Sequence, residues 1–261
     1  MIYTESINKD DKLILYRKRK EIKTIDEIVE IFEPTDKTMG NTLKMVIFIK
    51  YLADTNIIDC VEIPKYKPLG IGYEKYELTK KLVGTVILNG DNSKNLYPTK
   101  EELVEYVGKS KKQYMFFNLG LIKIKDIEIG HSNVIIIDKK REIVERFEPH
   151  GKMECFDDEY VDNFIVDNFV IPLKSLSDKY KYVYPLDYCP LIGPQSKQKL
   201  STKNKKGSFC VTWSILYLHI KFINPELSSN KIVDYLIDKS PDELQNLIER
   251  YQTFIDETIS D

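Results

Sequence analysis

The chain predicts an α+β fold, a central mixed β-sheet flanked by helices. Three observations predict it. Extended, β-branched and aromatic runs concentrate in the middle, from Tyr114 to Phe147. Helical periodicity gathers toward both ends. The composition, 42% hydrophobic and 31% charged, is that of a globular chain able to bury a core.

In chain order, residues 1–33 read as a heavily charged helical stretch in which Ile25 to Phe32 has amphipathic spacing. Pro34 breaks it, and a second helix runs from Thr42 to Ala53. Residues 61–80, with two prolines and two glycines, read as a loop. Val83 to Leu88 reads as a strand ending at Asn89-Gly90. Thr99 and Glu102 form a capping box for the helix that follows. Tyr114 to Ile124 is a strand, and 154–167 an acidic helix. Helices at about 211–223 and 228–256 close the chain, with Pro241 starting a new helical turn. The expected organisation is a mainly helical N-terminal region, residues 1–110, and a core, residues 111–261. No internal repeat is evident.

The most informative segment is His131 to Glu148. The apolar run 134–137 and the run 143–147 are strands, joined by Asp138-Lys139-Lys140-Arg141. A two-residue turn at Lys139-Lys140 sets Asp138 opposite Arg141, and the same register sets His131 directly opposite Glu148. Facing Cβ atoms would then be about 4.5–5.5 Å apart. A carboxylate beside an imidazole fixes its tautomer and stabilises the imidazolium, and a catalytic histidine needs both.

The nucleophile expected with such a base is Cys210. Val211, Ile215, Leu218 and Phe222 recur with helical spacing until Asn224-Pro225 ends the run, and Ser208 is a plausible N-cap. Cys210 falls in the first turn, where unsatisfied N–H groups and the helix dipole favour a thiolate. A cysteine with a remote histidine and acid is the arrangement of a cysteine hydrolase.

The order His131, Glu148, Gln195, Cys210, the segment Arg146-Phe147-Glu148-Pro149-His150-Gly151 and the segment Gly193-Pro194-Gln195 together resemble the adenain-like (clan CE) cysteine peptidases. These occur in large DNA viruses and include the SUMO-specific proteases. The resemblance covers about residues 114–225. It implies a papain-like or adenain-like core with His131 as base and Glu148 as its orienter. The Gln195 side chain and the Cys210 N–H would be the oxyanion donors. Ser132 stands where many relatives have Trp, Val211 where many have Gly, and the interval between Gln195 and Cys210 is longer than usual. That interval is rich in Lys, Ser and Asn and reads as an inserted loop, and Gln198 is the substitute donor. The implied activity is endopeptidase cleavage of viral structural or core polyproteins. The alternatives are an isopeptidase acting on ubiquitin or a ubiquitin-like modifier, and a non-catalytic binding module.

Other candidates are weaker on the residues themselves. His150 has no carboxylate facing it in the register. His219 lies about 13.5 Å along the helix from Cys210. Cys189 is a rival nucleophile, and Cys60 and Cys155 read as fillers. Asn133 shares a strand face with His131, and Trp213 reads as core. The lysines from Lys197 to Lys206 read as a solvated loop.

The remaining signals bound the setting. A net charge of −2 makes no global case for nucleic acid. The N-terminus lacks a signal-peptide profile, and no apolar run approaches the roughly 20 residues of a membrane span. Four cysteines without C-x-x-C spacing fit a reducing, intracellular setting, the host cytoplasm or a virion. No cofactor or metal is expected, and the expected partner is a protein substrate.

Overall fold

The computed structural model describes residues 14–18, 21–24, 42–62, 85–89, 94–97, 99–123, 129–152, 158–188, 191–198 and 209–258. In chain order these form β1 (Ile14–Lys18), β2 (Glu21–Thr24), α1 (Thr42–Asp54), β3 (Val61–Glu62), β4 (Thr85–Asn89) and β5 (Lys94–Tyr97). There follow α2 (Lys100–Lys109), β6 (Tyr114–Lys123), β7 (Ile129–Asp138), β8 (Ile143–Phe147) and α3 (Asp158–Ile165). A π-helical turn, Val166–Val170, leads from α3 into the short α4 (Ile171–Leu173). The series ends with β9 (Lys181–Val183), α5 (Pro194–Lys197), α6 (Cys210–Ile223), α7 (Ser229–Asp238) and α8 (Pro241–Thr258).

Two compact units result, interleaved in sequence. One comprises residues 61–148 and 152–187; the other comprises 1–60, 149–151 and 188–261. The chain therefore passes between units at 60/61, 148/149, 151/152 and 187/188, whereas its patterning suggests a boundary at 110/111.

The first unit holds a seven-stranded mixed sheet in the order β5-β4-β6-β7-β8-β9, with β3 also pairing β6. Strand β6 runs parallel to β3 and β4, and β8 parallel to β9; the β4–β5, β6–β7 and β7–β8 pairs are antiparallel. Helix α2 starts where its capping box requires. Thr99 Oγ1 accepts from Glu102 N at 3.2 Å, and Glu102 Oε2 accepts from Thr99 N at 2.9 Å. Leu103 and Val107 of α2, with Val161, Phe164 and Ile165 of α3, pack on one sheet face against Met115, Phe117, Leu119, Ile135, Ile137 and Val144. The Phe117 and Phe169 rings meet edge to face at 5.2 Å. Phe116, Val134, Ile136 and Phe147, which alternate with these, are also fully buried. Burial on both faces accounts for the unbroken apolar run 134–137.

The second unit is built around α6, buried on every side from Cys210 to Phe222. Phe48 of α1 packs edge-on to Tyr251 and Phe254 of α8 and to the His219 ring of α6. His219 Nδ1 lies 2.9 Å from Tyr251 Oη, and burial pushes the Tyr251 phenol well above the ordinary tyrosine pKa.

Several sequence expectations change. Within 1–33 the described residues are strands: β1 pairs β2 antiparallel, and Ile14, Tyr16 and Ile22 favour extended backbone over the expected helix. The rest of that stretch, including Ile25 to Phe32, lies outside the described residues, as does most of the loop 61–80. The closing helix expected at 228–256 is two helices, divided at Lys239-Ser240. Ser240 caps the second, accepting from Glu243 N at 3.3 Å, while Glu243 Oε2 accepts from Ser240 N at 2.7 Å.

Candidate active site

The β7–β8 hairpin differs from its expected register. The pairs are Val134↔Phe147, Ile135↔Arg146, Ile136↔Glu145, Ile137↔Val144 and Asp138↔Ile143, so the turn is Lys139 to Glu142. Asp138 explains the shift. Its Oδ1 accepts from Lys140 N at 3.0 Å, Arg141 N at 3.1 Å and Gln113 Nε2 at 3.2 Å, gathering the turn amides around the end of β7. Glu142 then closes the turn in the left-handed region, at φ 54.

The register moves by two residues. Glu148 is therefore displaced from direct opposition to His131 into a diagonal position, but parity keeps both side chains on one face. Diagonal neighbours are about 7–8 Å apart at the backbone, within reach of long side chains. His131 Nε2 lies 2.7 Å from Glu148 Oε1, with both side chains almost fully buried. The carboxylate thus engages the Nε2 side of the ring and fixes its orientation.

Sequence reasoning missed the group behind Glu148. Arg146 shares the strand face of Glu148 and is 1% exposed. Its Nε donates to Asp162 Oδ1 at 3.0 Å, and Nη2 lies 2.9 Å from the same oxygen and donates to Asp158 Oδ1 at 3.0 Å. Its Nη1 donates to Asn133 Oδ1 at 3.0 Å and stands 3.7 Å from Glu148 Oε2. Tyr182 Oη also donates to Asp162 Oδ1, at 2.8 Å. Burial opposes the Arg146 charge, but Tyr182, Asp162 and Glu148 outweigh it and hold its pKa above the ordinary arginine value. For Asp162 burial dominates, raising its pKa although Arg146 and Tyr182 pull it down. The available signal was Arg146 two residues from Glu148 on one strand face, with Asp158 and Asp162 at helical i, i+4 spacing.

Cys210 is the first residue of α6, is 4% exposed and forms no disulfide among the described residues. The expected Ser208 cap lies outside the described residues; the N-cap is Phe209, whose side chain makes no capping hydrogen bond. Phe209 O accepts from Trp213 N at 2.8 Å.

Gln195 sits on α5, buried, and its Oε1 has no hydrogen-bond partner among the described residues. The loop before it is clamped to Pro149-His150-Gly151. Gly193 N donates to His150 O at 2.8 Å, Gln195 N donates to Pro149 O at 2.9 Å, and Ile192 forms an antiparallel bridge with Gly151. The approach is so close that a Cβ on Gly193 would meet Pro149 O at 2.4 Å and Gly151 N at 2.5 Å. His150 Nδ1 lies 3.0 Å from Ser196 Oγ, a contact that further ties the two segments. Gln198, the substitute donor, accepts through Oε1 from Trp213 Nε1 at 2.6 Å, and Trp213 is fully buried core.

His131 and Glu148 are thus hydrogen-bonded in the sheet unit, and Gln195 and Cys210 occupy separate helices of the other unit. Cys60 donates to Phe222 O at 3.0 Å. Cys155, Cys189 and most of the lysine-rich interval lie outside the described residues. No described helix is long and apolar enough to cross a membrane.

No family model matches the chain. It is 26% identical over 265 residues to a protein of Acanthamoeba polyphaga mimivirus named as an ankyrin repeat protein, the match covering 92% of this chain. The chain spans about a third of that relative's length (33%). Among solved structures it is similar to the Chlamydia trachomatis effector ChlaDUB1, with a TM-score of 0.46 and 11% identity over 90% of this chain and 88% of that one. It is also similar to the SUMO protease Ulp1, with a TM-score of 0.41 and 10% identity over 94% and 89% of the two chains.

Proposed function

We propose that the chain is a cysteine peptidase. Cys210 Sγ attacks the carbonyl carbon of a peptide or isopeptide bond. His131 Nδ1 takes the thiol proton and later delivers it to the leaving amine. Glu148 keeps the ring oriented through Nε2. Gln195 and the Cys210 N–H stabilise the oxyanion of the tetrahedral intermediate. The observation that carries the reading is the buried 2.7 Å contact between His131 Nε2 and Glu148 Oε1. Burying an imidazole and a carboxylate costs free energy, and the arrangement orients one ring nitrogen for use. The position of Cys210 in the first turn of α6 and the buried side chain of Gln195 support the remaining roles.

Two substrate classes follow: conjugates or precursors of ubiquitin-like modifiers, and viral structural or core polyproteins. Modifiers are tested first. The full chain is incubated with ubiquitin and SUMO carrying C-terminal electrophiles, and separately with virion proteins. An adduct on Cys210, absent from Cys210→Ala, supports the modifier reading; Cys210-dependent cleavage of virion proteins supports the other. Lack of both reactions overturns the peptidase reading.

A further inference from the structure

We propose that Arg146 is a positioning residue: its guanidinium, fixed by Asp158, Asp162 and Asn133, holds the Glu148 carboxylate so that Oε1 faces His131 Nε2. The catalytic consequence rests on the cysteine-peptidase reading; the positioning itself does not.

Glu148 is positioned by its side-chain contacts. It follows the last ladder pair, Val134↔Phe147, so strand pairing does not fix its side chain. Its two oxygens divide the work: Oε1 meets His131, and Oε2 faces Arg146 Nη1 at 3.7 Å. That same Nη1 is pinned by Asn133 Oδ1 at 3.0 Å. The rest of the guanidinium is held by α3, whose Asp158 and Asp162 lie on one helix face. A guanidinium is planar and presents five donors in a rigid fork, so fixing Nε and Nη2 on the helix also fixes the direction of Nη1. A lysine supplies charge without that geometry.

A stability anchor alone does not account for the arrangement. Buried ion clusters contribute little net stability compared with apolar side chains of the same volume. Arg146 borders the core, where Val144 and Ile135 show that apolar packing is available. Asn133 turns its oxygen to Arg146 although its Nδ2 is then buried without a partner among the described residues. Both features make sense if the orientation of Glu148 is what is being maintained.

The test uses the full chain labelled with ¹⁵N-histidine. The three histidines, His131, His150 and His219, give a spectrum simple enough to assign. His219, buried and hydrogen-bonded to Tyr251, reports on the helical unit, and the far-UV circular dichroism of the strands reports on the unit that carries Arg146. In Arg146→Lys we expect the His131 Nε2–H proton to exchange with water about tenfold faster or more, with the His219 signal unchanged. If Arg146→Lys loses the His219 signal too, Asp158→Asn decides. Asp158 is partly exposed, and its loss frees one edge of the guanidinium. A faster-exchanging His131 proton in that variant supports the proposal, and an unchanged one overturns it. An unchanged His131 signal in a folded Arg146→Lys overturns it as well. In an active protein, the variant that alters the His131 signal lowers kcat about 10- to 100-fold with KM nearly unchanged. If the wild type is inactive while the resonance still responds, the peptidase reading fails and the positioning role stands.

Discussion

His131 and Glu148 meet across the hairpin on a diagonal, with Nε2 2.7 Å from Oε1, because Asp138 draws four residues into the turn. The two-residue slip keeps both side chains on one face and sets Arg146 opposite Ile135, on that same face. On that face Arg146 Nη1 stands 3.7 Å from Glu148 Oε2.

Glu148→Gln preserves size and a hydrogen-bonding oxygen but removes the charge that steadies an imidazolium. It lowers kcat by about 10²- to 10⁴-fold on whichever substrate the wild type cleaves, with a smaller change in KM. Steady-state kinetics on the purified variant provide the check, and an unchanged kcat contradicts the role of Glu148.

The two glutamines separate by readout. Gln195→Ala removes the proposed oxyanion donor and lowers kcat by about 10²- to 10³-fold with little change in Tm. Gln198→Ala strands the Trp213 indole N–H in the core and costs about 1–3 kcal/mol of stability, leaving kcat nearly intact. The reverse pattern would make Gln198 the oxyanion donor.

Gly193→Ala places a methyl group against backbone atoms of Pro149 and Gly151. Its φ of −76 is open to any residue, so the effect is steric. Stability falls by about 1–3 kcal/mol, and kcat falls further than that loss explains, because Gln195 is carried on the displaced loop. Thermal melts alongside kinetics test this, and normal activity in the variant would detach the clamp from the site.

Asp162 gives a pH signature. Its folded pKa lies above the ordinary 3.8, chiefly through burial. From pH 3.8 up to the raised value the folded state binds a proton that the unfolded chain has released. The contribution of Asp162 to stability therefore falls as pH rises through that window. Denaturant titrations across it show a shallower decline in Asp162→Asn than in the wild type. Identical slopes contradict the burial of this carboxylate.

The sequence made local structure legible wherever side chains commit to one pattern. The Thr99–Glu102 capping box, the β6–β8 strands and the helical spacing after Cys210 all specify their elements. It was less informative where a long-range contact decides. The turn register depended on Asp138 accepting from Gln113 as well as from the turn amides. Arg146, amid Glu142, Glu145 and Glu148, reads as one of several surface charges until Asp158 and Asp162 arrive from α3. The contact of Gln198 with Trp213 crosses 15 residues of sequence and leaves no local signal.

The central claim is that the His131 imidazole activates the Cys210 thiol. Its most direct measurement is the rate of alkylation of Cys210 by iodoacetamide near neutral pH, read residue by residue by mass spectrometry, in wild type and His131→Ala. An ordinary thiol is only a few per cent ionised there. The account predicts that the rate at Cys210 falls about tenfold or more in the variant while that at Cys60 stays the same. Equal rates at Cys210 in the two proteins would contradict it.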